Sequence, residues 1–381
     1  MLAKGKLPLR VCWWVLFCCA SLGIAQERER TVGRPISPAE QDPAEDVVRV
    51  NTRVVFIEAL VKDRRTGLPL TGLTRDNFTV LDDGRVRDLT YFSAGADARR
   101  PRALMLVIDF YGHWGRTFHS KETVSRLAAS LAKLPPEDEI AVAVSWLGEA
   151  ESPCSALSPN SPHTPPPLQV LQDFTRDRGK IVAALESVPA ISAKYERDYK
   201  LVDWDFDLIN TTSGVACAGD ALRRAAAVRP HSRPMMVVAA DDLTYFPFAA
   251  RDEMIRGSLE NGGTVNLLRI RTFFLTNWAA GIAKRTDFRG MPGAIDVVAE
   301  MTKQTGGEMA NVGSAKKYVE AFEKLISNLS ARYSLGFTLG ENEQNTGRLH
   351  RLEVRVSARD GRGKERKVVV SARSGYYLPD E

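Results

Sequence analysis

The hydrophobic rhythm of this chain changes twice, and those two changes restrict its fold more than any other feature. From Val48 onward Val50, Thr52, Val54 and Phe56 alternate with Asn51 and Arg53 and lead into Glu58-Ala-Leu-Val-Lys62, the spacing of a strand with one covered face. Asp63-Arg-Arg-Thr-Gly67 reads as a hairpin turn, and Phe78-Thr-Val-Leu81, the turn Asp82-Asp-Gly84 and Leu89-Thr-Tyr-Phe92 continue the β pattern. After Arg99-Arg-Pro-Arg102 the pattern becomes continuous. Ala103-Leu-Met-Leu-Val-Ile108 runs apolar into Asp109, as a parallel strand buried on both faces does. Helical spacing follows at Val124, Leu127, Ala128 and Leu131, then a second buried strand, Ile140-Ala-Val-Ala-Val-Ser-Trp146. The same alternation predicts helices over 178–188, 217–228, 249–260, 293–304 and 315–330, with strands Met235–Ala240, Thr264–Ile270 and a short one near Glu308-Met-Ala310. From Tyr333 period two returns in Tyr333–Leu339, Leu349–Val356 and Lys367–Val370.

Neither β-rich end holds enough strands to be stable alone. The pattern therefore predicts an α/β protein. A doubly wound, mostly parallel Rossmann-like domain over 99–331 is inserted into a β-sandwich built from N-terminal strands (48–98) and C-terminal strands (332–381). Such sheets bind ligands at the carboxyl ends of their strands. Two inserts decorate the domain, a proline-rich loop from Ser152 to Pro167 and an acidic, aromatic loop around Tyr195–Asp207.

The first residues predict a compartment. Lys4, Lys6 and Arg10 precede an apolar run, Val11 to Ala25, that ends in small residues, the pattern of a secretory signal (1–25) cleaved after Ala25. The alternative is an uncleaved anchor, for which the run falls short of the ~20 residues of a bilayer span. Residues 26–47, with Pro35, Pro38 and Pro43, read as a disordered linker. A periplasmic or secreted protein with no membrane span after cleavage is expected. Of five cysteines, cleavage leaves Cys154 and Cys217, a candidate disulfide in an oxidising compartment or else two buried thiols. Apolar residues at 44% and charged residues at 26% suit a globular chain. Losing the three leader cations lowers the net charge from +5 to +2, too balanced for a nucleic-acid binder.

Local wording in this order resembles a known family. The matching stretches are Leu70-Thr-Gly-Leu-Thr-Arg-Asp-Asn-Phe78 with Val80-Leu-Asp-Asp-Gly84, Leu106-Val-Ile-Asp109, Leu134-Pro-Pro-Glu-Asp138, Phe174-Thr-Arg-Asp-Arg178 and Gly219-Asp-Ala-Leu222. Thr305-Gly-Gly307, Ala331-Arg-Tyr-Ser-Leu-Gly-Phe337 and Gly375-Tyr-Tyr377 complete the set. Over about 48–378 the chain resembles the bacterial, acidobacterial-type VWFA-related domain proteins, a branch of the von Willebrand factor A (VWA) fold. The resemblance implies a metal-ion-dependent adhesion site at the top of the sheet, where Asp-x-Ser-x-Ser, a threonine and a later aspartate hold Mg²⁺ through oxygen. Asp109 matches the first aspartate and Asp241 the last, with Asp242 beside it. Tyr111 and His113 stand at the serine positions and Ala216 at the threonine position. The resemblance thus implies a degenerate site. Asp109, Tyr111, His113, Ala216, Asp241 and Asp242 would line a partner-binding surface, and Mg²⁺ or another divalent cation, if bound, would rest on Asp109 and Asp241. Nearby Thr211, Thr212 and Ser213 are off the matched position, and Asp109 and Asp241 have a plainer use in capping backbone amides.

Other chemistry is weakly signalled. HExxH, G-x-S-x-G and GxxxxGK[ST] are absent, and CxxC is absent after the leader. Ser314-Ala-Lys-Lys317 fits S-x-x-K, but Ser314 stands where a helix needs its N-cap. Asp203-Trp-Asp-Phe-Asp207 has the opening spacing of a calcium loop without its glycine and closing glutamate. Tyr195, Tyr199, Trp204 and Phe206 suit either an interface or packing on their own domain. The arginines of Arg99–Arg102 and Arg359–Arg373 read as solvated. Two functions compete: a non-enzymatic, exported module that binds a protein or envelope component through the loops at the carboxyl edge of its sheet, and a hydrolase using Asp109, His113 and Asp241. A structural role in envelope assembly is the third.

Overall fold

The computed structural model describes residues 53–94, 100–110, 115–145, 147–149, 168–198, 211–241, 255–271, 294–340, 343, 347–359 and 361–378. The leader, the linker and Cys154 lie outside the described residues, as does the proline-rich loop. Among the described residues no helix is long and apolar enough to cross a membrane.

The strands of the described residues are, in chain order, β1 (Val54–Asp63), β2 (Phe78–Asp82), β3 (Arg85–Arg87), β4 (Tyr91–Ala94), β5 (Arg102–Asp109), β6 (Glu139–Ser145), β7 (Leu147–Glu149), β8 (Leu168–Thr175), β9 (Thr211–Ser213), β10 (Arg233–Asp241), β11 (Thr264–Ile270), β12 (Met309–Val312), β13 (Tyr333–Thr338), β14 (His350–Val356), β15 (Val368–Ser371) and β16 (Gly375–Tyr376). The central sheet has the order β12-β11-β10-β5-β6-β8. Its strands are parallel except β8, which runs antiparallel along β6 with register shifts.

Helices cover both faces of this sheet. Leu104, Leu106 and Ile108 of β5 point to one face. There they pack with Leu127 of helix Lys121–Leu131, Leu185 of helix Arg178–Asp198 and Phe322 of helix Ala315–Ser330. Met105 and Val107, the alternate residues, pack on the other face with Leu222 of helix Gly214–Ala227, Leu259 of the helix through 255–260, and Met301 of helix Ala294–Gln304. A continuous apolar run is what a strand with two covered faces requires. Helix Arg178–Asp198 extends well past the expected end at 188, through Pro189. Beyond the proline Ser192 is buried, so tertiary packing outweighs the one hydrogen bond a proline removes.

Strands from opposite ends of the chain pair with one another. β1 lies between β13 and β15 in the sheet β15-β1-β13-β4, and β14 lies beside β2 in the sheet β16-β14-β2-β3. Ile57, Ala59, Leu335 and Phe337 of the first sheet share one apolar cluster with Phe78, Val80 and Leu352 of the second. In the hairpin between β2 and β3, Asp83 and Gly84 both adopt positive φ (48° and 81°), the left-handed pair that a two-residue turn needs.

The Thr305-Gly-Gly307 stretch joins the central domain to the tail. Thr305 bridges Arg373, and Ser374 donates its amide to the Gln304 carbonyl at 2.8 Å. A Cβ on Gly307 would stand 1.8 Å from the Val265 carbonyl oxygen, whereas one on Gly361 would meet nothing within 4 Å. Gly307→Ala should cost about 2–3 kcal/mol or more, as overpacking against rigid backbone does. Chemical denaturation should show that loss for Gly307→Ala and almost none for Gly361→Ala.

Of the arginines expected in solvent, Arg359, Arg362 and Arg366 are exposed, whereas two at the amino edge of the sheet are not. Arg102 is buried, because Asp138 accepts its amide (2.8 Å) and its Nε (2.8 Å). Arg373 is also buried and donates its Nε to the Gly375 carbonyl at 2.8 Å. Removing one partner of a buried ion pair strands the other charge, so Asp138→Ala should lose about 3–5 kcal/mol in a melting experiment. Glu323→Ala, which breaks the exposed pair with Arg126, should lose well under about 1 kcal/mol.

Candidate functional site

The strand order of the central sheet reverses between β5 and β10. Chain connections leave these neighbours on opposite sides, and the crevice outside their carboxyl ends is where sheets of this type receive ligands. β5 ends at Asp109 and β10 at Asp241, so two of the expected residues are brought to this point by the register of adjacent parallel strands.

Asp109 is 4% exposed. The register sets it opposite Ser145, the last residue of β6, and the Ser145 hydroxyl donates to Asp109 Oδ1 at 2.7 Å. The Phe110 amide then donates to the Ser145 carbonyl at 2.8 Å, which fixes the chain as it leaves the strand. Ser145 is a site residue that the sequence reading misses. Its signal is present all the same: the run Ile140–Val144 ends in a hydroxyl, just as Ala103–Ile108 ends in a carboxylate.

Ala216 falls in the first turn of helix Gly214–Ala227, and Cys217 follows it there. Thr211, Thr212 and Ser213 form β9, paired with β7, which begins two residues after Ser145. This small sheet therefore continues from the carboxyl end of β6. Tyr111, His113 and Asp242 lie outside the described residues, as do Tyr199, Trp204 and Phe206 of the aromatic loop. Ser314 caps its helix, accepting the Lys317 amide at 3.4 Å, which gives the S-x-x-K match a structural use.

Beneath this edge His119 is buried. Its Nδ1 lies 3.1 Å from Ser192 Oγ, and its ring packs on Phe110 with centroids 4.9 Å apart. Burial lowers its pKa to about 4, so the ring is neutral at physiological pH and ties Phe110, the residue after β5, to helix Arg178–Asp198.

No family model and no curated protein sequence matches this chain. Among solved structures, human COPII-coat protein Sec24c aligns over 73% of this chain and 44% of that one, at 10% identity and a TM-score of 0.37. BatB from Bacteroides thetaiotaomicron aligns over 60% of this chain and 98% of its own, at 11% identity and a TM-score of 0.36. The SpRpn10 VWA domain aligns over 58% and 93%, at 15% identity and a TM-score of 0.30. Likeness of this size identifies neither a family nor a partner. The strand order and the residues at the strand ends carry the reading that follows.

The neutral His119 has a measurable consequence. Above pH 6.5 both folded and unfolded states hold it uncharged. Between about 6.5, the pKa of an exposed histidine, and about 4 the unfolded chain takes up a proton that the folded chain refuses, so stability falls as pH falls and then levels. Melting temperatures from pH 7 to pH 5 should decline in the wild type, and His119→Phe should flatten that decline.

Proposed function

We infer that this chain is an exported, non-enzymatic module of VWA type that binds a protein or envelope component through the loops at the carboxyl edge of its central sheet. The observation that carries the reading is that adjacent strands end at Asp109 and at Asp241, at the point where strand order reverses. The sequence resemblance to VWFA-related proteins puts the partner-binding surface at the same edge. Its β-sandwich, with the α/β domain inserted, is read from the pairing of β1 with β13 and of β2 with β14.

The residues present do not fit the Mg²⁺ cage that the VWA fold implies. An octahedral Mg²⁺ ion takes oxygen ligands, whereas position 216 is an alanine and positions 111 and 113 are tyrosine and histidine. One oxygen of Asp109 is already engaged by Ser145. Partner binding is therefore assigned to the loop surface itself rather than to a bridging cation.

Two measurements test this. Exchanging EDTA for excess Mg²⁺ should move the melting temperature by no more than about 1 °C, since a ligand stabilises only the state that binds it; a rise of several degrees overturns the metal-free reading. A photo-crosslinking side chain at His113 should capture one partner from intact cells, with or without chelator. The same group at Lys133, an exposed residue just after helix Lys121–Leu131, should capture none. Equal capture at both positions, or hydrolytic activity lost in His113→Ala, would replace this reading. Export predicts a mature protein whose first residue is Gln26.

A further inference from the structure

The hairpin between β2 and β3 builds a second cluster, on a different sheet from the site above. Antiparallel pairing puts Asp82 opposite Leu352 of β14, and His350 opposite Tyr376 of β16. Asp82 is 3% exposed. Its Oδ2 accepts Arg87 Nε (3.0 Å), Arg87 Nη2 (2.7 Å) and the Tyr376 hydroxyl (3.2 Å). Its Oδ1 is buried without a hydrogen bond and faces His350 Nδ1 at 3.8 Å. Asp83 is held through Oδ1 by the Arg351 amide at 2.9 Å. Its Oδ2 lies 3.2 Å from His350 Nδ1 and 2.9 Å from Arg348 Nη2. The His350 ring stacks on Tyr376, with centroids 5.0 Å apart and planes 25° apart.

Each aspartate thus has one oxygen fixed by donors and turns the other toward the same imidazole nitrogen. A buried carboxylate oxygen with no donor is costly unless a cation completes it. Arg87 does not supply that cation at Oδ1, since it sits on Oδ2 and is shared with Glu343. We propose that Asp82 Oδ1, Asp83 Oδ2 and His350 Nδ1 form a binding site for a divalent transition-metal ion, with Zn²⁺ as the type case.

The three atoms lie within 4.8 Å of one another. Tetrahedral ligands at 2.0–2.2 Å from zinc stand about 3.4 Å apart, so closure on an ion takes small side-chain movements. One nitrogen with two carboxylates suits zinc better than magnesium. Arg87, Tyr376 and the Arg351 amide act as the outer donors that orient the ligands. Arg348 is largely exposed, and an exposed ion pair is readily given up. Asp83 and His350 are partly exposed on this side, which leaves a way in and a fourth position for water or a partner's donor.

The test uses the full chain, stripped with chelator and titrated with ZnCl₂ or MgCl₂ in a calorimeter. The wild type should take up one equivalent of zinc at this site and show no comparable heat with magnesium. His350→Phe keeps a ring to stack on Tyr376 and removes the nitrogen, while Asp83→Asn keeps a side chain suited to the left-handed turn. Each should weaken zinc binding at least about tenfold, with circular dichroism unchanged in chelator. Should His350→Phe fail to fold, Asp83→Asn decides the question by itself. Absence of stoichiometric zinc uptake by the wild type, or variants that bind as tightly as it does, overturns the proposal. It is independent of the partner-binding function above.

Discussion

The pairing of β1 with strands from the far end of the chain is the constraint on which the described structure depends. Val54–Asp63 has β13 on one side and β15 on the other, so its ladder partners lie more than two hundred residues away in the sequence. Closing so long a loop costs entropy, but that cost grows only slowly with length. Side chains tie the layers: Ser334 Oγ donates to Glu58 at 2.8 Å across 276 residues of sequence, and Arg233 at the start of β10 pairs with Glu58 and donates to Ser334. Buried Arg332 reaches the Gly306 carbonyl at 2.9 Å. The amino edge of the central sheet is thereby fixed to the β layers, and the carboxyl edge is left to the loops.

Much of this is legible in the sequence because burial on two faces writes a different pattern from burial on one. Strand Thr264–Ile270 and helix Ala315–Ser330 fall where periodicity puts them, since both are long and strongly patterned. β8 leaves no such mark. As an edge strand against β6 it is mostly uncovered and alternates poorly (Leu-Gln-Val-Leu-Gln-Asp-Phe-Thr), so it lacks the signature of its neighbours. β7 and β9, of three residues each, are too short for any period to show. Periodicity ends helix Arg178–Asp198 too early because a proline is a strong local signal, while the contact that overrides it, between Ser192 and His119, is invisible in one dimension.

The stretches that carry the family resemblance acquire structural reasons. Asp177 Oδ1 accepts the amides of Gly179 and Lys180 at 2.9 and 3.3 Å, capping the helix after Phe174-Thr-Arg-Asp-Arg178. Arg178 donates to the carbonyls of Pro135 and Asp138 at 2.7 and 3.0 Å, so this stretch and Leu134-Pro-Pro-Glu-Asp138 form one contact. Thr74 and Asn77 make a capping box within Leu70–Phe78, and Tyr333 donates its hydroxyl to the Leu70 carbonyl at 2.8 Å. Gly336 lets Tyr91 and Val54 approach its backbone, where a Cβ would stand 3.0 and 3.1 Å from them. These four stretches join parts of the fold to one another.

The two edges of the central sheet are therefore built to opposite ends. At the amino edge a buried arginine, an aspartate and a second arginine interlock β5, β6 and helix Arg178–Asp198 through the backbone as well as through charge. At the carboxyl edge a hydroxyl from β6 donates to Asp109, and Phe110, the next residue, packs on the buried His119. An edge locked by paired charges resists change, because any lost partner leaves a buried charge behind. Loops on a rigid scaffold can vary without that penalty. Ser145 belongs to the scaffold side of this division, as the last residue of β6. Its hydroxyl fixes one oxygen of Asp109 from within the sheet, at the point where the strand order reverses.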